Sequence, residues 1–187
     1  SDGTSNGTES LGSVEMTPPL AWAEGFLFRS TSNQLLWTNG SDLRDWLALP
    51  SWNTTQQQDA EASLSGLSNL GQAWMHTDDQ AVWFSASDGG GDVEPYRLTR
   101  HGELTSWNIN EFGSAQLENL LSIETDVIAA ASRGGVKQAL RLFDNGSHDW
   151  LTSISPASGD THLGEGMGLH PIGENLVYDA MTIQGEP

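Results

Sequence analysis

The chain has 187 residues, with 7 Lys and Arg against 25 Asp and Glu, so its formal net charge is −18 at pH 7. This excess of carboxylates excludes nucleic acid from the expected partners, because phosphate binding relies on clustered Lys and Arg. The chain has no cysteine and no apolar run of about 18 residues, which excludes disulfides, thiolate metal sites and a transmembrane segment.

The predicted elements are short strands separated by tight turns. The opening residues 1–8 (SDGTSNGT) have the composition of a turn, and residues 25–37 read as apolar run, polar turn and apolar run, which predicts a hairpin. Residues 56–67 form the best helical window, but this window is short and polar enough to be a loop. Strand-like runs before Gly- or Ser-rich turns return in residues 81–98, 126–143 and 175–187.

A polar turn with a glycine follows the returning strands, and a tryptophan comes after it. The turn glycines are Gly40, Gly102 and Gly146, with Gly3 of the opening segment as a fourth. The intervals between them are 37, 62 and 44 residues, and the long one holds the Gln-rich segment. A spacing of roughly 40 to 50 residues is typical of propeller blades. We therefore predict an all-β, β-propeller-like fold of about four blades, each with four antiparallel strands, either as a segment of a larger propeller or as a unit completed by another copy. Residues 1–187 form one such segment, with approximate repeats 1–37, 38–98, 99–143 and 144–187.

The turns also carry a signature. Residues 1–4 (SDGT), followed by Gly7 and Thr8, resemble the extracellular β-propeller repeats with a Glu-Leu-Trp, Ser-Asp-Gly-Thr and Gly-Thr pattern. Residues 36–41 (LWTNGS) and 142–147 (LFDNGS) are similar to degraded copies of the same pattern. The resemblance implies a secreted or cell-surface protein, and such repeats share no catalytic residues.

Eight tryptophans are expected to lie mainly in the core, and those just past the turns are expected to pack between neighbouring blades. Trp52, in LPSWNTT, is the tryptophan that we expect to be exposed. An exposed aromatic face suits the apolar face of a sugar. Trp52 is therefore the candidate for ligand stacking.

Acidic residues suggest two further sites. Asp88 and Asp92 flank three glycines, with Glu94 close by, and this set of oxygen ligands is a candidate calcium site. A long hairpin tip explains the same residues without a metal. Asp78 and Asp79 offer paired carboxylates for hydrolysis. Adjacent strand residues point to opposite faces, so this pair is better interpreted as a solvated turn.

Four Asn-x-Ser/Thr sequons are candidate glycosylation sites, at Asn6, Asn39, Asn53 and Asn145. Three of them are Asn-Gly-Thr or Asn-Gly-Ser, which tight turns favour in any case. Asn53-Thr-Thr is the more independent indication of glycosylation.

These observations predict a noncatalytic extracellular or cell-surface scaffold or interaction module. The repeat pattern leaves one terminal blade incomplete, and an unpaired strand edge accepts a strand from another chain. Self-association as a ring or filament is therefore expected, or else binding to surface proteins or glycans. Two alternatives stay open: a carbohydrate-active enzyme with an acidic axial pocket, and a calcium-dependent carbohydrate-binding or adhesion domain.

Overall fold

The computed structural model describes residues 19–30, 34–109, 114–115, 117–133, 136–152, 162–163, 169–172, 175–178 and 180–181. The turn signature in residues 1–8 and the sequon at Asn6 lie outside the described residues.

The chain is mostly β, as the sequence predicts, with three four-stranded antiparallel sheets. The first sheet contains β1 (Leu20–Trp22), β2 (Gly25–Arg29), β3 (Leu35–Thr38) and β4 (Leu43–Asp45). The second sheet contains β5 (Met75–Thr77), β6 (Ala81–Ala86), β7 (Glu94–Thr99) and β8 (Leu104–Ser106). The third sheet contains β9 (Glu118–Ile123), β10 (Asp126–Arg133), β11 (Val136–Leu142) and β12 (His148–Trp150). In each sheet, strands that follow one another in the sequence are neighbours in space.

Four shorter strands follow the third sheet. They are β13 (His162–Leu163), β14 (Leu169–Ile172), β15 (Asn175–Tyr178) and β16 (Ala180–Met181). Strand β14 pairs with β15, and β13 pairs with β16, both in the antiparallel sense.

The three turn glycines occupy one equivalent position in the three sheets. Gly40, Gly102 and Gly146 lie between the third and fourth strands of the first, second and third sheets, with φ of 89°, 86° and 87°. At these angles a residue with a Cβ is strained, which explains why glycine recurs there.

One helix, α1 (Thr54–Leu64), connects the first and second sheets. Asn53 caps it, because its side chain accepts a hydrogen bond from the backbone N–H of Gln56 at 2.9 Å. The Gln56 side chain in turn accepts from the backbone N–H of Asn53 at 3.0 Å, which completes a capping box. The window at residues 56–67 is therefore a helix over most of its length. In the described part of the chain, no helix has both the length and the apolar character needed to cross a membrane.

The sheets pack in series through two cores. The first core joins the first and second sheets, and the second core joins the second and third. Strand β6 is buried along its whole length, with Val82, Phe84 and Ala86 in the first core and Ala81 and Trp83 in the second. Because successive strand residues face opposite sides, burial on both sides gives a continuous apolar run.

The tryptophans lie mainly in the core, which confirms the prediction. Five are buried, namely Trp22, Trp37, Trp46, Trp83 and Trp107, and the other three are partly buried. Two of the tryptophans that follow turns also contact the next sheet. Trp46 meets Phe84 edge-on at 5.7 Å, and Trp107 Nε1 donates to the Ser147 carbonyl at 2.8 Å.

Strands that belong to successive sheets contact each other. Strand β1 contacts β5, and β9 contacts β14. One side-chain contact also joins β5 to β9, because His76 Nε2 lies 2.6 Å from Ser122 Oγ. Burial lowers the pKa of His76, against the opposing effect of the nearby Asp78 carboxylate.

Candidate functional site

Two adjoining cavities open where turns of the first and second sheets meet, and together we call them the cleft. Their volumes are about 450 Å³ and about 340 Å³. They share three lining residues: Ala23, Glu24 and Arg100. Asn39, Gln56 and His101 also line the larger cavity, and Phe26, Asp78 and Asp79 also line the smaller one.

The position of the cleft follows from the sheet topology. In an antiparallel sheet of consecutive strands, the turn after the first strand and the turn after the third strand lie at the same end. The β1–β2 and β3–β4 turns therefore share one end of the first sheet, and the β5–β6 and β7–β8 turns share one end of the second. Contact between β1 and β5 brings these two ends together. The cleft is consequently lined mainly by turn residues, with Gln56 supplied by α1.

The β1–β2 turn has an unusual conformation for its sequence. Its two central residues, Ala23 and Glu24, have φ of 48° and 62°. A two-residue turn with positive φ at both positions usually takes Asn-Gly, because other residues pay about 1–2 kcal/mol each there. The turn is closed by the pairing of Trp22 with Gly25. The strained geometry brings Glu24, which is exposed, to the border of both cavities.

Gly25 is required beside this turn by close packing. A Cβ at Gly25 would lie 2.6 Å from ring atoms of Trp37 and closer still to the Thr38 carbonyl oxygen. Trp37 Nε1 donates to the Trp22 carbonyl at 2.9 Å, which fixes the ring under the turn. The wall of the cleft is therefore held by a buried tryptophan.

Arg100 is the cation of the cleft. Its backbone is held on both sides, since its N–H donates to the Gln80 carbonyl at 3.0 Å and its carbonyl accepts from Trp52 Nε1 at 2.5 Å. Its guanidinium lies over the Trp22 ring, 5.5 Å from the centroid. The Nε atom is buried and has no hydrogen-bond partner. No carboxylate among the described residues forms an ion pair with it.

Most of the other described arginines have polar partners. Arg44 pairs with Asp42 at 2.7 Å, Arg141 pairs with Asp126, and Arg29 donates to the Leu70 carbonyl at 2.8 Å. Arg97 lies in the interior, 8 % exposed, against the ring of Trp83. Arg100 thus lines a cavity, is partly exposed, and has a guanidinium that forms no ion pair or hydrogen bond among the described residues.

Trp52 is half-buried rather than exposed. It packs against the first core, and its Nε1 bonds to the backbone of Arg100. The ring is fixed beside the cleft, and its visible role is to position Arg100. Its use as a stacking surface for a ligand stays a prediction.

Asp78 forms a turn, in agreement with the interpretation preferred from the sequence. Its Oδ1 accepts from the backbone N–H groups of Gln80 and Ala81, both at 2.7 Å, and its Oδ2 accepts from Trp83 Nε1 at 2.7 Å. Asp79 is exposed beside it. The two carboxylates therefore have different environments, and both oxygens of the Asp78 carboxylate already accept hydrogen bonds, from the backbone of its own turn and from Trp83.

The candidate calcium ligands lie at the opposite end of the second sheet, around the β6–β7 turn. Asp88 Oδ1 accepts from the Gly90 N–H at 3.1 Å. Glu94 Oε2 accepts from the Ile109 N–H at 3.2 Å, and its Oε1 is buried without a partner. Within the described ranges, no three His, Asp or Glu side chains form an arrangement that could hold a metal ion. Calcium binding by Asp88, Asp92 and Glu94 stays a prediction.

Glu94 is expected to make stability depend on pH. Burial, with a smaller contribution from Asp92 and Asp88, raises its pKa from 4.5 to about 7. Between these values the folded chain binds more protons than the unfolded chain, so the free energy of unfolding falls as pH rises from about 4.5 to about 7. Because the side chain is only half-buried, we expect a change of about 1 kcal/mol. Urea unfolding at several pH values measures it.

The matched control for this pH effect is Glu103→Gln, at an exposed position. The lowered pKa of His76 makes the free energy of unfolding rise with pH, which opposes the effect of Glu94. The contribution of Glu94 is therefore obtained by comparing Glu94→Gln with the unaltered chain. Glu94→Gln should remove the decline, whereas Glu103→Gln should keep it. An unchanged decline in Glu94→Gln would show that another group causes it.

The described sequons all have structural roles. Asn39 Oδ1 accepts from the Ser41 N–H at 2.9 Å, and Asn145 Oδ1 accepts from the Ser147 N–H at 2.9 Å. Asn53 caps α1. All three asparagines are exposed. Turn and cap chemistry therefore explains each asparagine, and glycosylation of these sites stays a prediction.

The described residues define a mostly β protein with serially packed antiparallel sheets and a polar cleft between two of them. No family model, curated protein or solved structure significantly matches the chain. The candidate site therefore rests on the geometry of this chain. Sequence reasoning missed the site, although the scarcity of basic residues was a signal that could have drawn attention to Arg100.

Proposed function

We propose that the chain is a noncatalytic interaction module of an extracellular or cell-surface protein, built from β-propeller-type blades. Each four-stranded sheet is one blade in this proposal, and β13 to β16 belong to a fourth. In a propeller the blades are arranged around an axis, which brings strands of successive blades together. The adjacency of β1 with β5, and the His76–Ser122 contact between β5 and β9, support this arrangement.

The observation that carries a binding function is the unpaired guanidinium of Arg100 in a cleft formed by turns of two sheets. Turns on a rigid β scaffold are common binding sites, because they vary without disturbing the core. A cleft of several hundred Å³ with a few converging polar groups fits a small ligand or the end of a larger one. The occupied carboxylate of Asp78 favours binding over acid–base chemistry there.

The proposal predicts binding without turnover. The immobilised chain is exposed to a panel of neutral and acidic oligosaccharides, and both retained ligand and released products are measured. We expect saturable retention of at least one glycan with no shortened product. Product release that is lost in Glu24→Gln would instead establish the carbohydrate-active alternative. Retention that requires calcium would establish the calcium-dependent alternative.

Light scattering and electron microscopy of the same sample test the self-association that the sequence predicts. Rings or filaments would make assembly part of the function, and particles of the chain mass would restrict it to ligand binding.

A further inference from the structure

The geometry points to a carboxylate-bearing sugar, a uronic acid unit of an acidic glycan, as the ligand of the cleft, with Arg100 pairing with its carboxylate. This inference rests on the proposed binding function and specifies the class of ligand.

The first argument is the state of Arg100. The buried Nε has no partner, and the terminal guanidinium nitrogens have no hydrogen bond among the described residues, so these terminal nitrogens are left to pair with a bound anion. The Trp22 ring, 5.5 Å from the guanidinium carbon, orients the planar group and reduces its contact with water. A carboxylate matches a guanidinium in shape and charge, so the pair forms short and strong hydrogen bonds.

The second argument concerns the charge of the anion. Three carboxylate residues, Glu24, Asp78 and Asp79, line the same cleft as Arg100. The whole chain carries a formal net charge of −18. A doubly charged phosphate is repelled by this field about twice as strongly as a singly charged carboxylate. Among anions, the surroundings of Arg100 therefore favour a singly charged one that also carries groups able to donate hydrogen bonds to acids.

The third argument is the set of neutral polar groups. Asn39 Oδ1 already accepts from the backbone N–H groups of Ser41 and Asp42, and Gln56 Oε1 already accepts from that of Asn53. The amide NH₂ groups of Asn39 and Gln56 are consequently left to donate. Sugar hydroxyls accept from such donors and can donate to Glu24 at the same time.

The fourth argument is an aromatic surface at the smaller cavity. Phe26 lines that cavity and is 52 % exposed, which is a large fraction for an apolar side chain. The ring offers an apolar face to the apolar face of a sugar. The cavity volumes, about 450 Å³ and about 340 Å³, lie in the range of small-molecule sites.

The test is a calorimetric titration with three probes. They are a trisaccharide of one galacturonic acid and two galactose units, which carries a single negative charge and which we call the acidic trisaccharide, a neutral galactose trisaccharide, and inorganic phosphate. The variant is Arg100→Gln. The matched control is Arg44→Gln, an exposed arginine paired with Asp42 outside the lining of the cleft. Circular dichroism verifies that both variants fold, and Arg100→Lys, which keeps the charge, serves if the glutamine variant does not.

We expect the acidic trisaccharide to bind and Arg100→Gln to weaken this binding by about 10- to 100-fold. Arg44→Gln should leave the affinity unchanged, and Phe26→Ala should weaken it by about 5-fold or more. The neutral trisaccharide should bind more weakly than the acid, and phosphate should not compete at equal concentration.

Three outcomes would overturn the inference: no binding of the acidic trisaccharide at millimolar concentration, binding that is indifferent to Arg100, or displacement by phosphate. Retention of neutral glycans with no preference for the acid would refute the ligand class and leave the binding function standing. Cleavage of the acidic trisaccharide that depends on Arg100 would support the ligand class and refute the noncatalytic function.

Discussion

Trp83→Ala is expected to lower the free energy of unfolding by about 3–5 kcal/mol. The ring is fully buried in the second core, stacks on Trp107 with 5.1 Å between centroids, and carries the guanidinium of Arg97 on its face. Truncation leaves a cavity between the second and third sheets that the rigid strands cannot close. Urea unfolding followed by far-UV circular dichroism measures the loss, since this signal arises mainly from the backbone and each variant is compared with its own folded baseline.

Phe26→Ala is the matched control for Trp83→Ala, because Phe26 is an aromatic residue that is 52 % exposed. It should change stability by about 0.5 kcal/mol or less. Similar losses for the two variants would mean that the second core does not hold the sheets together.

Asp78→Ala is expected to lower the free energy of unfolding by about 2–4 kcal/mol, a large effect for a partly exposed turn residue. Its carboxylate accepts three hydrogen bonds at 2.7 Å, two from the backbone of its own turn and one from Trp83 Nε1. Removing it leaves the indole N–H of a fully buried ring without an acceptor. The same urea unfolding measures the change.

The neighbouring residue provides the control, because Asp79 is exposed and has no hydrogen bond of this kind among the described residues. Asp79→Ala should stay within about 0.5 kcal/mol of the unaltered chain. Part of the Asp78 effect passes through Trp83, so it should shrink when Trp83→Phe is already present. Full additivity of the two changes would contradict the role given to the indole bond.

These two predictions also concern the cleft, since Asp78 lines its smaller cavity and the β5–β6 turn forms part of its wall. If the β5–β6 turn loses its structure, the residues that line the smaller cavity change position. A loss of ligand affinity in Asp78→Ala would therefore be expected from structure alone. Arg100→Gln is the cleaner test of recognition because Arg100 has no side-chain hydrogen bond to lose among the described residues.

The helix shows how a local signal can be overlooked. Residues 56–67 lack apolar periodicity, so their pattern alone was ambiguous between helix and loop. The decisive feature is the capping pair of Asn53 and Gln56, three residues apart. The same asparagine appeared in the sequence as a sequon, and only the structure assigns it to the cap. The role as a cap depends on the backbone geometry around Asn53, whereas glycosylation of the same residue stays a prediction.

Trp52 illustrates the opposite limit. Its polar neighbours in LPSWNTT suggested exposure, yet the ring is half-buried against the first core and bonds to the carbonyl of Arg100. These two residues are far apart in the sequence. No local pattern could have placed them together.

The sequence by itself determined the β character, the glycine turns and the use of tryptophan as core. Each of these depends on short-range physics: alternation along a strand, positive φ at Gly40, Gly102 and Gly146, and the apolar area of an indole. The tertiary structure alone decided the cleft. Glu24, Arg100 and the groups around them come from different turns and a helix, and they converge because β1 lies beside β5. That convergence depends on how whole sheets pack, which the local spacing of residues does not specify.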